Sequence, residues 1–286
     1  MGGQFFLGCA VWAYRPWIGE FYPHGASQDK LLELYGQRLT CVEGNTTFYA
    51  LPPEDNIQKW ASQMPPGFKF CPKLARRVTH EGKLTDGQTY TELFLERMTG
   101  FGDNLGPVLV QLPPTFGPAQ FHELKQYLKW WPHDDFPMAL EVRHDGWWLD
   151  APARGLNELL VDCGATRVLL DTRPIYSGDD DPQSSNPRKK PEIPVHPVVT
   201  NGTAFVRYIQ HPTAKRNEEY TRQWVDQVDA WLREDVDVYF FSHCPIEDHS
   251  PKFAREFQRG LEAIDAPVSP LPWDDVKDPP KQLGLF

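Results

Sequence analysis

Residues of the kinds that do acid–base and anion chemistry stand at the ends of short apolar runs in this sequence. Glu43 and Asn45 close one run, Lys73 another and Gln111 a third. Glu141, Arg143 and His144 close a fourth, Asp171 a fifth, and Arg207 lies inside a sixth that leads on to His211. Residues two apart on a strand share a face, so Glu43 with Asn45, and Glu141 with Arg143, are each expected to point the same way. Glu43 and Glu141 then make a candidate acid–base pair, with Lys73 a nucleophile or charge stabiliser and Arg143 and Arg207 clamps for a phosphate. Asn45, Gln111, His144 and Asp171 complete the expected catalytic set. A plainer reading stands beside this one, in which Glu141 and Arg143 form an internal ion pair and Arg207 answers Glu43 or Asp171. A whole ring of charges with no use is the harder case, because buried charges are rare unless paired or functional.

For these residues to meet, the runs that carry them must be neighbouring strands. Eight such runs occur, at 5–12, 41–43, 68–73, 107–112, 138–142, 167–171, 204–209 and 236–241. Their near-continuous hydrophobicity suits strands buried on both faces of a parallel sheet, and amphipathic stretches of helical period separate them. Eight strands alternating with helices predict a single-domain α/β TIM (β/α)8 barrel over residues 1–264, with its chemistry at the carboxyl ends of the strands. An open doubly wound sheet is the structural alternative, but no Gly-x-Gly-x-x-Gly turn supports it. One connection is anomalous: residues 172–203, after strand six, are proline-rich and read as a long βα loop without a clear helix. A loop of that length is usually a lid, a binding element or a disordered insertion.

The net charge is −10, which excludes a protein that coats nucleic acid by electrostatics alone. Charge is nevertheless locally basic just past strand three, where Lys69, Lys73, Arg76, Arg77 and Lys83 face one acid, Glu81. Arg76, Arg77 and His80 are therefore candidate substrate or phosphate contacts, as is the run Arg188-Lys189-Lys190 in the long loop. Trp12, Tyr14, Trp17 and Tyr49 are candidates to stack on an unpaired base, or else to pack the barrel. Five widely spaced cysteines without a Cys-x-x-Cys pair argue against a disulfide framework and a structural zinc site. There is no basic leader and no apolar run long enough for a membrane span, so a cytoplasmic protein is expected.

Several blocks of the sequence together resemble a family. They are the aromatic segment 5–22, Glu43-Gly44-Asn45-Thr46-Thr47-Phe48-Tyr49, Phe68-Lys69-Phe70 before Lys73, Thr79-His80, Gln111-Leu112-Pro113-Pro114, Glu141-Val142-Arg143-His144 with Trp147, and Phe205-Val206-Arg207. The set resembles the YecE-like family, domain-of-unknown-function family 72, over roughly residues 5–260. The resemblance implies a TIM barrel and an activity not yet established. It departs from the family after the last strand, where an Asn-rich motif gives way to Phe241-Ser242-His243-Cys244-Pro245, so no role is assigned there. The family also looks distantly similar to metal-dependent endonucleases and sugar isomerases. That likeness makes Glu141-x-x-His144 a possible two-ligand step, with Glu43, Asp171 and His211 to complete a cage for a divalent metal. Lys73, Arg143 and Arg207 put positive charge where cations would sit, and a metal-free anion site is the competing reading.

Residues 265–286 read as a flexible tail, a proline-rich linker ending in Gln282-Leu283-Gly284-Leu285-Phe286. This ending resembles the bacterial sliding-clamp-binding peptide, with Leu283, Leu285 and Phe286 as apolar anchors and Gln282 as a polar latch. Such a tether implies the DNA sliding clamp as partner, and either DNA as substrate or work beside replication or repair. The function expected is a DNA-processing or DNA-repair enzyme, a hydrolase or lyase. A small-molecule enzyme acting on a phosphorylated sugar and a non-catalytic clamp-bound adaptor are the alternatives. Oligomeric state is left open.

Overall fold

The apolar runs become strands and the amphipathic stretches helices in the computed structural model of the chain, which describes residues 2–184 and 189–276. The order is β1 (Phe5–Cys9), α1 (Leu31–Gly36), β2 (Cys41–Gly44), α2 (Thr46–Tyr49), α3 (Glu54–Gln63), β3 (Lys69–Pro72), α4 (Arg76–Thr79), α5 (Gln88–Met98), β4 (Val108–Gln111) and α6 (Phe121–Trp130). There follow β5 (Met138–Glu141), α7 (Asp150–Cys163), β6 (Thr166–Asp171), α8 (Arg173–Tyr176), β7 (Thr203–Ile209), α9 (Glu218–Arg233), β8 (Asp237–His243) and α10 (Ser250–Ala263). The strands run in the order β3-β2-β1-β8-β7-β6-β5-β4, and every ladder is parallel. The ends of that sheet meet through two bridges, Phe70 with Leu105 and Lys73 with Leu109, which bring β3 to β4 and make a nearly closed TIM-like barrel.

Alternation along the strands separates two cores. Phe6, Cys41, Cys71, Leu109, Ala139, Val168, Phe205, Tyr239 and Phe241 fill the inside of the barrel, with Phe6 stacked on Tyr239 at 4.6 Å. The alternate residues pack outward against the helices, as Phe240 does on Phe257 at 4.0 Å. Each such aromatic contributes about 1.5–3 kcal/mol when fully removed from water. Gly8 is required where β1 passes β2, since a Cβ there would lie 2.0 Å from the Cys41 carbonyl oxygen. The helices end where the sequence changes: α7 stops at Gly164, whose φ of 69° suits the left-handed cap, and Ala165 N–H then donates back to Leu160 O at 2.9 Å.

Three boundaries differ from expectation and bear on the site. β1 ends at Cys9, so Trp12 lies in the following loop. β8 continues to His243, paired with β7 up to Ile209, two residues beyond the end of its apolar run. The long loop 172–203 is not bare coil among its described residues: it carries α8, and Ile175 and Ile193 bury against Leu170 and Ile209. Part of the segment expected as a linker from residue 265 packs on the barrel. Leu271 and Trp273 are buried, and Trp273 packs edge-on to Phe21 at 4.9 Å. Gln282, Leu283, Leu285 and Phe286 lie outside the described residues. No helix among the described residues is long and apolar enough to cross a membrane.

Candidate functional site

Two residues past the apolar interior, toward the carboxyl ends of the strands, the inward positions become charged. Glu43 follows Cys41, Lys73 follows Cys71, Gln111 follows Leu109, Glu141 follows Ala139, Arg207 follows Phe205 and His243 follows Phe241. Arg207, only 1% exposed, is the hub. Its Nε and Nη2 donate to the two oxygens of Glu43 at 2.7 and 2.8 Å, and its Nη1 donates to Glu141 Oε2 at 2.5 Å. Arg143 Nε takes the other oxygen of Glu141 at 2.5 Å, and its Nη2 donates to Gln111 Oε1 at 2.7 Å. Lys73 Nζ donates to that same Gln111 oxygen at 2.8 Å and to Asn45 Oδ1 at 3.3 Å, and lies 4.4 Å from the centre of the Phe48 ring. Its backbone is held too, because Lys73 N–H donates to the Thr47 hydroxyl at 2.9 Å.

Charge accounting explains the proton states. Two carboxylates and two guanidiniums cancel, so a charge on Lys73 has no partner left to balance it. Burial opposes the charge on Glu43, yet Arg207, which donates to both of its oxygens, outweighs it and holds the carboxyl well below its usual range. Burial likewise opposes Glu141, and Arg143, Arg207 and Lys73 bring it down to about 2. Lys73 goes the other way: burial, reinforced by Arg207, pushes its amine well below the ordinary lysine value despite Glu43 and Glu141. The two glutamates are therefore held as anions, while Lys73 holds its proton less firmly than an ordinary lysine.

Several residues expected at the site lie elsewhere. Asp171 follows the inward Leu170 and so points out to the helix layer, where it accepts from Trp224 Nε1 at 2.7 Å and pairs with Arg173 at 2.8 Å. His144 is adjacent to the inward Arg143, and neighbours on an extended chain face opposite ways. Its Nδ1 instead accepts from Gly146 N–H at 3.0 Å, capping a short turn. Glu141-x-x-His144 is thus not a two-ligand step. His211 sits between Asp180 and Arg216, 3.3 Å from each, in contact with the long loop. The metal cage is not assembled: among the described residues no group of three or more His, Cys, Asp or Glu is placed to hold a metal ion. Trp12 is core, edge-on to Trp60 and Phe70 at 5.3 Å each. Arg76 pairs with Glu81 at 2.7 Å and Arg77 lies over Tyr90 at 4.3 Å. Together with Phe48 and the 71% exposed Tyr49 they border a cavity of about 320 Å³ beside the mouth. His80 packs on the same Phe48 ring that Lys73 faces.

A family described as "Protein of unknown function DUF72" matches residues 6–275. The chain belongs to the DUF72 family. It is 29% identical over 284 residues to the UPF0759 protein YecE of Escherichia coli (strain K12), covering 98% of this chain and 99% of that one. A shorter match, 29% over 150 residues, is to the UPF0759 protein YunF of Bacillus subtilis (strain 168), covering 50% of this chain and 51% of the other. Among solved structures, a DUF72 protein of Thermotoga maritima MSB8 (TM1631) superposes with TM-score 0.69 at 20% identity, over 91% of this chain and 99% of that chain. One from Enterococcus faecalis V583 (EF0366) gives 0.59 at 19%, over 92% and 97%. The likeness to the solved structures is one of fold.

In this DUF72 barrel, three further groups bear on the site: His243, to which the strand-end reading assigned no role, and two residues from loops. His243 Nε2 lies 3.3 Å from Glu43 Oε2 without the alignment of a hydrogen bond. Burial lowers its pKa to about 4, against Glu43, so the ring is neutral near pH 7. Stepping by two from the inward Phe241 places it at the mouth. Lys190, from the long loop, has its amine pushed down to about 8 by burial and by the positive field of Arg207 and Arg143. Glu247, past β8, is raised to about 7 by burial, opposed by the Ser250 hydroxyl, which donates to it at 2.9 Å. Lys189 beside Lys190 pairs with Asp181 instead, and Arg188 lies outside the described residues.

Proposed function

We propose that this DUF72 protein is a DNA-processing enzyme of the lyase type, brought to its substrate by the sliding clamp through Gln282, Leu283, Leu285 and Phe286. The observation that carries the chemistry is Lys73: a buried amine, held by Gln111 and Asn45, with its proton disfavoured by burial and Arg207. A neutral amine in that position adds to an aldehyde carbon. Water leaves, and an imine joins Lys73 to the substrate. The imine acidifies the neighbouring C–H bond, and loss of that proton to a base expels a phosphate from the next carbon. Glu247, raised toward neutrality, suits the proton acceptor, and Arg143 and Lys190 suit the anionic leaving group.

The fixed glutamates weigh against two-carboxylate glycoside hydrolysis, which needs one carboxyl group protonated at working pH. Glu43 and Glu141 instead hold Arg207 and Arg143 in place around the amine. The clamp reading rests on the terminal peptide, and the basic and aromatic rim of Arg76, Arg77, Tyr49 and His80 fits a nucleic acid.

Borohydride reduction in the presence of an oligonucleotide carrying an abasic aldehyde tests the proposal. The expected result is a covalent adduct at Lys73, absent from Lys73→Met. Trapping of a phosphorylated aldose but not of the oligonucleotide would keep the amine chemistry and replace the DNA substrate. No adduct with either would overturn the lyase reading. Clamp pull-down with and without residues 282–286 tests recruitment separately, and equal recovery would end it.

A further inference from the structure

Phe48 belongs to two places at once. The Lys73 amine lies 4.4 Å from the centre of its ring, and the same residue lines the cavity of about 320 Å³ beside the mouth. That volume is at the low end of the roughly 300–1,000 Å³ typical of small-molecule sites, so the cavity takes one compact group. Its walls narrow what the group is. Tyr49 is 71% exposed and meets Phe48 edge-on at 5.3 Å, so the faces of its ring are open to stacking. Tyr90 carries the Arg77 guanidinium over its own ring at 4.3 Å. Open aromatic faces beside a flat cation call for a planar ring system.

Arg76 and Glu81 supply a polar edge. Arg76 Nη1 donates to Glu81 Oε1 at 2.7 Å, which leaves Oε2 of that carboxylate to accept from a ligand N–H. A carboxylate in a segment as basic as 69–83 repels a bare phosphate, so its place here favours a ligand that donates hydrogen bonds. The charge of Arg77 in turn favours an anion close by. A planar ring with N–H donors on its edge and a phosphate attached is a nucleotide. An acidic or aliphatic side chain of a peptide meets at most one of these three conditions.

We propose that this cavity receives the unpaired base next to the reacting sugar, stacked on Tyr49, with its N–H edge on Glu81 and its phosphate near Arg77. The assignment to a DNA strand rests on the lyase reading above, whereas the stacking chemistry does not. Because Phe48 is shared, a base in the cavity and a sugar at the Lys73 amine belong to adjacent nucleotides. Glu81 then sets a preference: cytosine, adenine and guanine present an exocyclic amine to a carboxylate, and thymine does not.

Fluorescence anisotropy on the full chain tests this, with single-stranded oligonucleotides that carry a non-reactive abasic analogue flanked on both sides by the same base. Tyr49→Ala, at an exposed position, should weaken binding by about 5- to 100-fold, the range for loss of one base–aromatic stack, and Tyr49→Trp should keep it. Equal affinities for Tyr49→Ala and the wild type would overturn the proposal. Cytosine flanks should bind about three- to tenfold more tightly than thymine flanks in the wild type. The two should bind equally in Glu81→Gln, because an amide donates as well as accepts. Thymine bound as tightly as cytosine by the wild type would overturn the base-edge assignment. A free nucleoside monophosphate that matches the oligonucleotide in affinity and in its dependence on Tyr49 would overturn the strand assignment. Tyr49-dependent binding without a borohydride adduct at Lys73 would sink the lyase reading alone. An adduct at Lys73, with binding indifferent to Tyr49→Ala, would sink the base site alone.

Discussion

Two adjacent layers inside the barrel, separated by a step of two residues along the strands, are made of opposite materials. The lower layer, with Phe6, Leu109, Phe205, Tyr239 and Phe241, is stabilised by area: every atom leaves water and finds a neighbour. The upper layer, with Glu43, Glu141, Arg207 and Arg143, must first lose its hydration and then recover that cost through ion pairs. A buried ion cluster is seldom better for stability than apolar groups of the same volume. The first layer accounts for why the barrel folds. The second is best understood by what it does to Lys73, whose amine it surrounds with a balanced field.

The sharpest way to break this contrast is to remove one member from each layer. Arg207→Ala should cost about 3–5 kcal/mol in denaturant unfolding, because two carboxylates are left buried without a partner. Phe205→Ala should cost a similar ~3–5 kcal/mol by opening a cavity. Their rescue should differ. The quadruple replacement Glu43→Leu, Glu141→Leu, Arg143→Met, Arg207→Met, which removes both carboxylates with both of their guanidinium partners, should return stability to within about 1 kcal/mol of the starting protein, or exceed it, while abolishing borohydride trapping at Lys73. A quadruple variant as unstable as Arg207→Ala would show that the ionic layer is a structural device.

A smaller effect separates the layers by pH. The Glu141 carboxyl is held at about 2, below its ordinary value of 4.5. Its contribution is therefore fully present above pH 4.5 and lost as pH falls through 2. Unfolding midpoints measured down that range should fall steeply in the wild type and less so in the quadruple variant. The smallest effect lies on the rim. The Arg76–Glu81 pair is half exposed on both sides, so Arg76→Ala should change stability by less than about 1 kcal/mol. If Arg76 contacts DNA, the same variant should weaken oligonucleotide binding and flatten its salt dependence, measured by fluorescence anisotropy.

The barrel was legible in the sequence because eight runs of strand length recur between helical periods, and parallel sheets leave that trace. The inward set Glu43, Asn45, Lys73, Gln111, Glu141, Arg143 and Arg207 was legible for a related reason, since polar residues at strand ends stand out against apolar runs. Which way a strand-end residue faces was not always readable. In β6 both faces are apolar, so nothing in Val168-Leu169-Leu170 says whether Asp171 or its neighbour turns inward. His144 fell to the simpler rule that it adjoins Arg143. Lys190 and Glu247 reach the mouth from loops, whose paths have no periodicity to read. His243 stood in view at the end of the eighth run, but the departure from the family pattern there left it without a role.

The seam between β3 and β4 carries a consequence for motion. Every other neighbouring pair of strands shares a ladder, whereas this pair is joined by two bridges, one of them made by Lys73. A barrel tends to open first where its pairing is thinnest, and local opening needs far less free energy than unfolding. The residue proposed to carry the reactive amine therefore also latches the hoop. Each brief parting of the seam would shift the amine relative to Arg207 and Gln111, and would admit water to it. Chemistry at Lys73 and the breathing of the barrel wall would then share one clock.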